Sequence, residues 1–350
     1  MNTVFWKNRR VLVTGHTGFK GSWLVLMLKQ LGAEVFGYSL EPSTTPSLFL
    51  QAELSGHCHH TIADVQDFSC MQKYVLTVQP DIVFHLAAQS LVRRSYSEPL
   101  ETWRINVMGT ANLLNSLRQL QHRCAIVIVT TDKVYENREW HFGYRESDQL
   151  GGYDPYSSSK AAVELAVASW RNSFFGSDSP CRVATARAGN VIGGGDWSQD
   201  RIVSDMVRHL SKGKAIPVRN PNAMRPWQHV FEPLTGYQLL AERLYKSDAL
   251  ELQSAFNFGP ESKTVRTVRE LVVEGLKHWP GRWDNQAPAN APHEAELLKL
   301  TNDKARSILN WNPNCTFEQA VRQTISWYHR HHMGESALNL MQEQIDDYIN

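Results

Sequence analysis

The sequence predicts an α/β fold, a doubly wound parallel sheet with a smaller mixed α/β substrate lobe. Three observations predict it. Short, wholly apolar runs recur through the first half. Helical patterns of roughly ten or more residues separate them, and a glycine-rich turn closes the first run. A strand that is apolar throughout is buried on both faces, and such strands belong to parallel sheets covered by helices.

The elements follow in order. Arg10–Thr14 reads as a strand, 21–31 as an apolar helix, and 34–38 and 60–64 as the next two strands. Helix 67–78 ends before Pro80, and the strand 81–85 follows. A long helix is expected over 99–120, a strand over 125–131, a helix over 155–170 and a strand over 182–187. Beyond Gly189 the pattern loosens, with Gly193-Gly194-Gly195, Pro217, Pro221, Pro226 and the segment 286–292 marking long connections. Helices at 201–211, 233–245 and 264–278 and a strand at 256–258 lie between them. The expected division is a dinucleotide-binding domain over 1–187, with 228–259 returning to it. A second lobe, 188–227 and 260–350, would close over the carboxyl ends of the strands, where open α/β sheets bind ligands.

Lys plus Arg number 36 and Asp plus Glu 35, a net charge of +1. That balance argues against a nucleic-acid or acidic-membrane partner, so any bound anion is held by local geometry. The five cysteines are scattered with no C-x-x-C pair, which fits free thiols in a reducing cytoplasm. Residues 1–10 lack the apolar run of an export signal, and no run approaches a membrane span. The expectation is a soluble, cytoplasmic protein.

Thr14-Gly15-His16-Thr17-Gly18-Phe19-Lys20-Gly21 follows the first strand and opens the first helix. Gly15 permits the tight turn, Gly18 admits a pyrophosphate to the backbone, and Gly21 lets helix and strand approach. The free N–H groups and dipole of the helix N-terminus complete a dinucleotide site of the Rossmann type. At the end of the second strand, Gly37-Tyr38-Ser39-Leu40 replaces the usual ribose-binding carboxylate. With no arginine there to attract a 2′-phosphate, NAD is expected over NADP, and Ser39 is its ribose contact.

Tyr156 and Lys160 lie four apart, so one helix turn places both side chains on one face. A nearby ammonium favours the phenolate of a tyrosine, which then accepts a hydroxyl proton as hydride leaves the same carbon. Asp132-Lys133, after Thr131, adds a second acid and base that a plain dehydrogenase does not need. An amine acts as a base at neutral pH only where burial and neighbouring cations disfavour its ammonium.

On these motifs the chain resembles the extended short-chain dehydrogenase/reductase superfamily. The matching runs are Thr14–Gly21, Asp64-Val65, His85–Gln89, Asn106–Thr110, Tyr156–Lys160, Asn190–Gly193 and Arg225–Val230. Within it the chain is similar to the nucleotide-sugar 4,6-dehydratases. The runs Gly15–Lys20, Gly151–Tyr156, Gly193–Trp197 and Arg225–His229 are most like the branch acting on CDP-glucose. The resemblance implies oxidation at C4, loss of water across C5 and C6, and hydride return to C6. By it, Tyr156 and Lys160 serve the redox step, Asp132 is the acid for the C6 hydroxyl, Lys133 the C5 base, and Thr131 polarises the C4 ketone.

It also implies cofactor contacts from Gly15, Thr17, Gly18, Phe19, Lys20, Gly21, Ser39, Asp64, Val65, Leu86, Ala87, Ala88, Gln89, Asn106, Thr130, Tyr156 and Lys160. Substrate contacts would come from Gln89, Ser90, Asn190, Arg201, Arg225, Asn257 and His293. Two arginines suit a pyrophosphate because the guanidinium fork pairs with phosphate oxygens. Ala291-Pro292-His293-Glu294 departs from the family, which often has arginine before the proline. The helices 99–120 and 155–170 are those the superfamily pairs into a four-helix interface, so a homodimer or a homotetramer is expected. Two alternatives remain: a UDP-N-acetylglucosamine or dTDP-glucose dehydratase, and a dinucleotide-sensing protein without catalysis. The histidine runs 57–60 and 329–332 lack the spacing of a metal site, and no metal is expected.

Overall fold

The computed structural model describes residues 2–261, 265–286 and 298–349. Its centre is a seven-stranded sheet in which every neighbouring pair is parallel. In chain order the first six strands are β1 (Arg10–Thr14), β2 (Glu34–Ser39), β3 (His59–Ile62), β4 (Ile82–His85), β5 (Cys124–Val129) and β6 (Cys181–Ala188). Across the sheet the order is Ala255–Phe258, β6, β5, β4, β1, β2, β3. The order reverses direction between β1 and β4, and that switch point is where a crevice opens above the carboxyl ends.

Burial follows from composition. β4, β5 and β6 are buried at every position, as strands covered on both faces must be. β3 is more exposed and stops at Ile62, two residues before its expected end, because it pairs only with β2 at the sheet edge. The helix Phe19–Gln30 is buried along eight consecutive residues from Gly21 to Leu28. The expected long helix 99–120 is broken into Pro99–Trp103, a π-helical turn Arg104–Met108, and Gly109–Leu117. The π turn centres on Asn106, whose amide is spent inside the fold; such turns concentrate at functional sites.

The strand Ala255–Phe258 pairs with β6, and the preceding helix Phe231–Lys246 packs across β5 and β6. One apolar core runs from the sheet through Trp23, Phe231, Trp327 and Ile345. The glycines at 193–195 make that continuity possible. The Trp327 ring packs on the Gly194 backbone where a Cβ would otherwise sit, and the Trp23 indole donates to the Gly194 carbonyl at 3.0 Å. Two helices that the sequence reading did not place, Phe317–His332 and Ala337–Ile349, close this side. The second packs on the helix Phe19–Gln30. No helix among the described residues is long and apolar enough to cross a membrane.

Candidate active site

The glycine turn forms the cradle its spacing predicts. Gly15 has φ +74°, and a Cβ there would lie 2.6 Å from the Ala87 backbone nitrogen. A Cβ on Gly21 would strike the Gly15 carbonyl oxygen. Gly18 is the extended residue before the first helical turn, so the free N–H groups of that turn point into the crevice. These features fit a pyrophosphate at the helix N-terminus. Thr17 donates to the Leu40 carbonyl at 2.9 Å and its hydroxyl meets Ser39 Oγ at 2.8 Å, fixing the turn to the end of β2.

Below the turn, Thr14 Oγ1 lies 2.7 Å from His85 Nδ1, and His85 Nε2 lies 3.0 Å from Thr110 Oγ1. Thr110 gives its own proton to the Asn106 carbonyl at 2.6 Å. His85 Nε2 must therefore be the donor to Thr110, and Nδ1 accepts from Thr14. Burial pushes His85 down to about 3, helped by the Lys160 charge, so the imidazole stays neutral.

The residues expected to move protons lie at and around the carboxyl end of β5. Thr131 is extended and caps a short 3-10 turn, Asp132–Val134. Its hydroxyl donates to Asp132 Oδ1 at 3.0 Å, and Lys133 Nζ reaches the same oxygen at 3.2 Å. Asp132 is fully buried, whereas the Lys133 side chain is 35% exposed. Asp132 Oδ2 is buried with no hydrogen-bond partner and packs against Gly189. The carboxylate sits directly on Gly189, where a Cβ would overlap it.

Tyr156 opens the helix Pro155–Phe174, which Asp154 caps by accepting from the Ser157 N–H at 2.9 Å. Burial pushes the phenol up to about 12; Thr131 and Arg201 pull it down, and Asp132 raises it. One turn on, Lys160 Nζ donates to the Val129 carbonyl at 3.1 Å, and burial lowers this ammonium to about 8 against the opposing pull of Glu164. Lys20 joins the group from the glycine turn. Burial and the Arg201 and Lys160 charges bring it down to about 7 against Asp132 and Asp196.

Other expected contacts divide. Arg201 stands near Tyr156 and Lys20, ion-paired with Asp196 at 3.4 Å. Arg225 lies on a two-residue strand that pairs with Arg266. Ser90 is exposed beside the crevice, Asn190 is half-buried at φ +46°, and Asp64 and Val65 lie just past β3. Gln89, Asn106, Thr130 and Asn257 are buried, and their side chains are spent inside the protein. The Gln89 amide donates to Leu91 and Thr102, and Asn106 holds the Gln89 backbone and Ser159. Thr130 donates to Glu164; Asn257 accepts from Tyr135 and donates to the Tyr144 carbonyl. As placed, these four shape the crevice wall from behind. His293 lies outside the described residues.

The histidine runs find other partners. His60 meets His16 at 2.6 Å, His59 pairs with Glu34, His329 stacks on Trp279, and the His332 ring lies tilted against the same indole. Sequence reasoning missed Glu164, Arg187 and Gly189, which form the floor of the site. Glu164 was detectable, being one turn beyond Lys160 on the same face.

A glycine-cradled dinucleotide site opening onto a Thr-Asp-Lys and Tyr-Lys cluster defines a short-chain dehydrogenase/reductase enzyme acting on a hydroxyl-bearing substrate. A model of the GDP-mannose 4,6 dehydratase family matches residues 12–324, and the chain belongs to that family of nucleotide-sugar dehydratases. It is 43% identical to the CDP-glucose 4,6-dehydratase of Salmonella typhimurium, over 99% of this chain and 98% of that protein. Among solved structures, the UDP-glucose 4-epimerase of Thermotoga maritima superposes with a TM-score of 0.78 at 21% identity, covering 92% of this chain and 99% of the epimerase. The dTDP-glucose 4,6-dehydratase of Bacillus anthracis, solved in complex with NAD, has a TM-score of 0.77 at 20% identity, covering 95% and 99%. These two likenesses show the fold.

Proposed function

We propose that the chain dehydrates CDP-glucose to CDP-4-keto-6-deoxyglucose, with NAD as its cofactor. The observation that carries this reading is the Asp132–Lys133 contact within the Tyr156 pocket, supported by the full-length likeness to a CDP-glucose dehydratase. NAD would be held by the Gly15–Gly21 turn, with Ser39 at the ribose and Leu86–Ala88 along the wall. When bound, it accepts a hydride from C4 and returns it to C6.

Tyr156 takes the proton of the C4 hydroxyl, and the Lys160 ammonium stabilises its phenolate. Loss of the hydride and that proton makes the C4 ketone, and Thr131 turns its hydroxyl to the C4 oxygen to polarise it, which acidifies the C5 proton. The Asp132–Lys133 pair holds one proton between them. Moving it from Nζ to Oδ1, 3.2 Å away, creates an amine base and a carboxylic acid with no change in net charge. Lys133 then takes the C5 proton and Asp132 gives its own to the departing C6 hydroxyl, which restores the ion pair. Lys133 returns a proton to C5 as C6 is reduced. Tyr156 ends one proton richer and the Asp132–Lys133 pair one proton poorer; return of that proton through solvent resets the site, and the only small product is water. Arg201 and Arg225 would pair with the diphosphate.

The exposed apolar residues Leu100, Trp103 and Leu165 lie on the packed helices Pro99–Trp103 and Pro155–Phe174, a surface suited to a homodimer or a pair of dimers. Five free thiols suit a cytoplasmic protein.

The pH dependence follows from Lys160. As pH rises through about 8 its ammonium is lost, the phenolate loses that support, and kcat falls on the alkaline side. A Lys160→Arg variant, charged throughout, is expected to be slower but to lack that limb in a pH–rate profile. The substrate assignment is tested by incubating the protein with NAD and each of the CDP-, dTDP-, GDP- and UDP-sugars. CDP-glucose is expected to give the 4-keto product fastest; preference for another nucleotide reassigns the base.

A further inference from the structure

Behind the reacting residues lies a buried ion pair that the mechanism above does not use. Glu164 and Arg187 are 4% exposed on both sides, with Arg187 Nη2 2.9 Å from Glu164 Oε2 and Arg187 Nε 2.9 Å from Oε1. Glu164 also accepts from Thr130 Oγ1 at 2.5 Å and from Thr185 Oγ1 at 2.6 Å. Arg187 extends the array through Nη1, which donates to the Tyr135 hydroxyl at 2.8 Å and to the Glu146 carbonyl at 3.2 Å. Tyr135 passes its proton to Asn257 Oδ1 at 2.8 Å. The array grips Thr130 and Tyr135, the residues that flank Thr131–Val134, from below. Glu164 also lies one turn from Lys160 on the same helix.

We propose that Glu164, braced by Arg187, is the positioning residue that holds the Thr131–Lys133 segment against the helix carrying Tyr156 and Lys160. Burying a carboxylate is costly unless it is paired and hydrogen-bonded, and four donor contacts on Glu164 meet that cost. A purely structural pair could be placed anywhere in the core. This one ties the acid–base segment to the helix of the redox pair, so both halves of the reaction share one anchor. The groups facing Lys160 are Glu164 on its own helix, Lys20 from the helix Phe19–Gln30 and neutral His85 from β4. Glu164 is the anion among them, and it raises the Lys160 ammonium where burial lowers it. Arg187 and Arg171 face Glu164 in turn.

The inference rests on the proposed reaction, so its test has a readout that needs no sugar. With NAD saturating, the ultraviolet tyrosinate signal of Tyr156 is obtained by subtracting the titration of a Tyr156→Phe variant. Glu164→Gln is expected to move the onset of that signal up by about one pH unit, and Glu164→Asp to restore it. On substrate, Glu164→Gln should lower kcat about tenfold or more while KM changes little. An unchanged onset and unchanged kcat in a folded Glu164→Gln protein would overturn the proposal. If that variant does not fold, Thr130→Val decides, since it removes one hydroxyl contact to Glu164. A kcat lowered about tenfold supports the anchor, and wild-type kcat overturns it. A wild-type protein that turns over no nucleotide sugar would sink the reaction while leaving the titration readable.

Discussion

A Lys133→Met variant is expected to oxidise the substrate at C4 and stop there. Methionine keeps the length of the side chain but cannot take a proton, so the ketone forms and the C5 proton stays. Overall turnover should fall by about 10²–10⁴-fold, the usual contribution of a positioned base. Two measurements separate the steps. Single-turnover absorbance of the reduced nicotinamide should still appear, and exchange of the C5 hydrogen with deuterated solvent should cease. Exchange at the wild-type rate would remove Lys133 as the base and direct attention to another group in the pocket, of which Lys20 is the nearest alternative by charge and burial.

The second large effect is expected from a residue that touches no substrate. Gly189 supports the Asp132 carboxylate so closely that an alanine Cβ would occupy the carboxylate's position. Gly189→Ala must therefore displace the acid, the backbone or both. The neighbouring Gly189 carbonyl is held by Gln228 Nε2 at 3.0 Å, which resists a backbone shift and directs the displacement onto Asp132. A shift of about 1 Å in a catalytic group costs on the order of a hundredfold in rate. kcat for dehydration should drop by that factor, with C4 oxidation in a single turnover much less affected. Wild-type dehydration in a folded Gly189→Ala protein would mean that Asp132 is not the acid.

What the sequence made legible was what local pattern can encode. β5 was visible because every residue in it is apolar and buried, and β4 because only its last residue, His85, is polar; β6 is buried throughout although it carries Arg182, Thr185 and Arg187. β3 was harder because half-exposed His59 to Ile62 carry little apolar signal, and its expected end ran into Asp64. The break in the helix at Arg104–Met108 was invisible, since Asn106 enters the π turn to satisfy the Gln89 backbone and Ser159 across the fold. The helix Phe317–His332 had a readable start, Thr316 and Gln319 forming a capping box, that the reading passed over.

The site divides the same way. Gly15, Gly18 and Gly21, and the Tyr156 and Lys160 pair, stand at spacings fixed by one turn and one helix, so motif and geometry coincide. Glu164 stands one helical turn beyond Lys160, a spacing the sequence does carry; Arg187 and Gly189 meet Glu164 and Asp132 only through tertiary contacts, which no local spacing reports. Asn257 shows the converse. Motif position suggested a substrate contact, yet the side chain is fully buried between Tyr135 and Tyr144.

The central claim is that one pocket removes hydride from C4, eliminates water and returns the same hydride to C6. It is tested most directly with CDP-glucose carrying deuterium at C4, incubated with the protein and NAD. The account predicts a 4-keto-6-deoxy product with the deuterium at C6 and one solvent hydrogen at C5. A ketone whose C6 hydroxyl is retained, deuterium lost to solvent, or no turnover of any nucleotide sugar would contradict it.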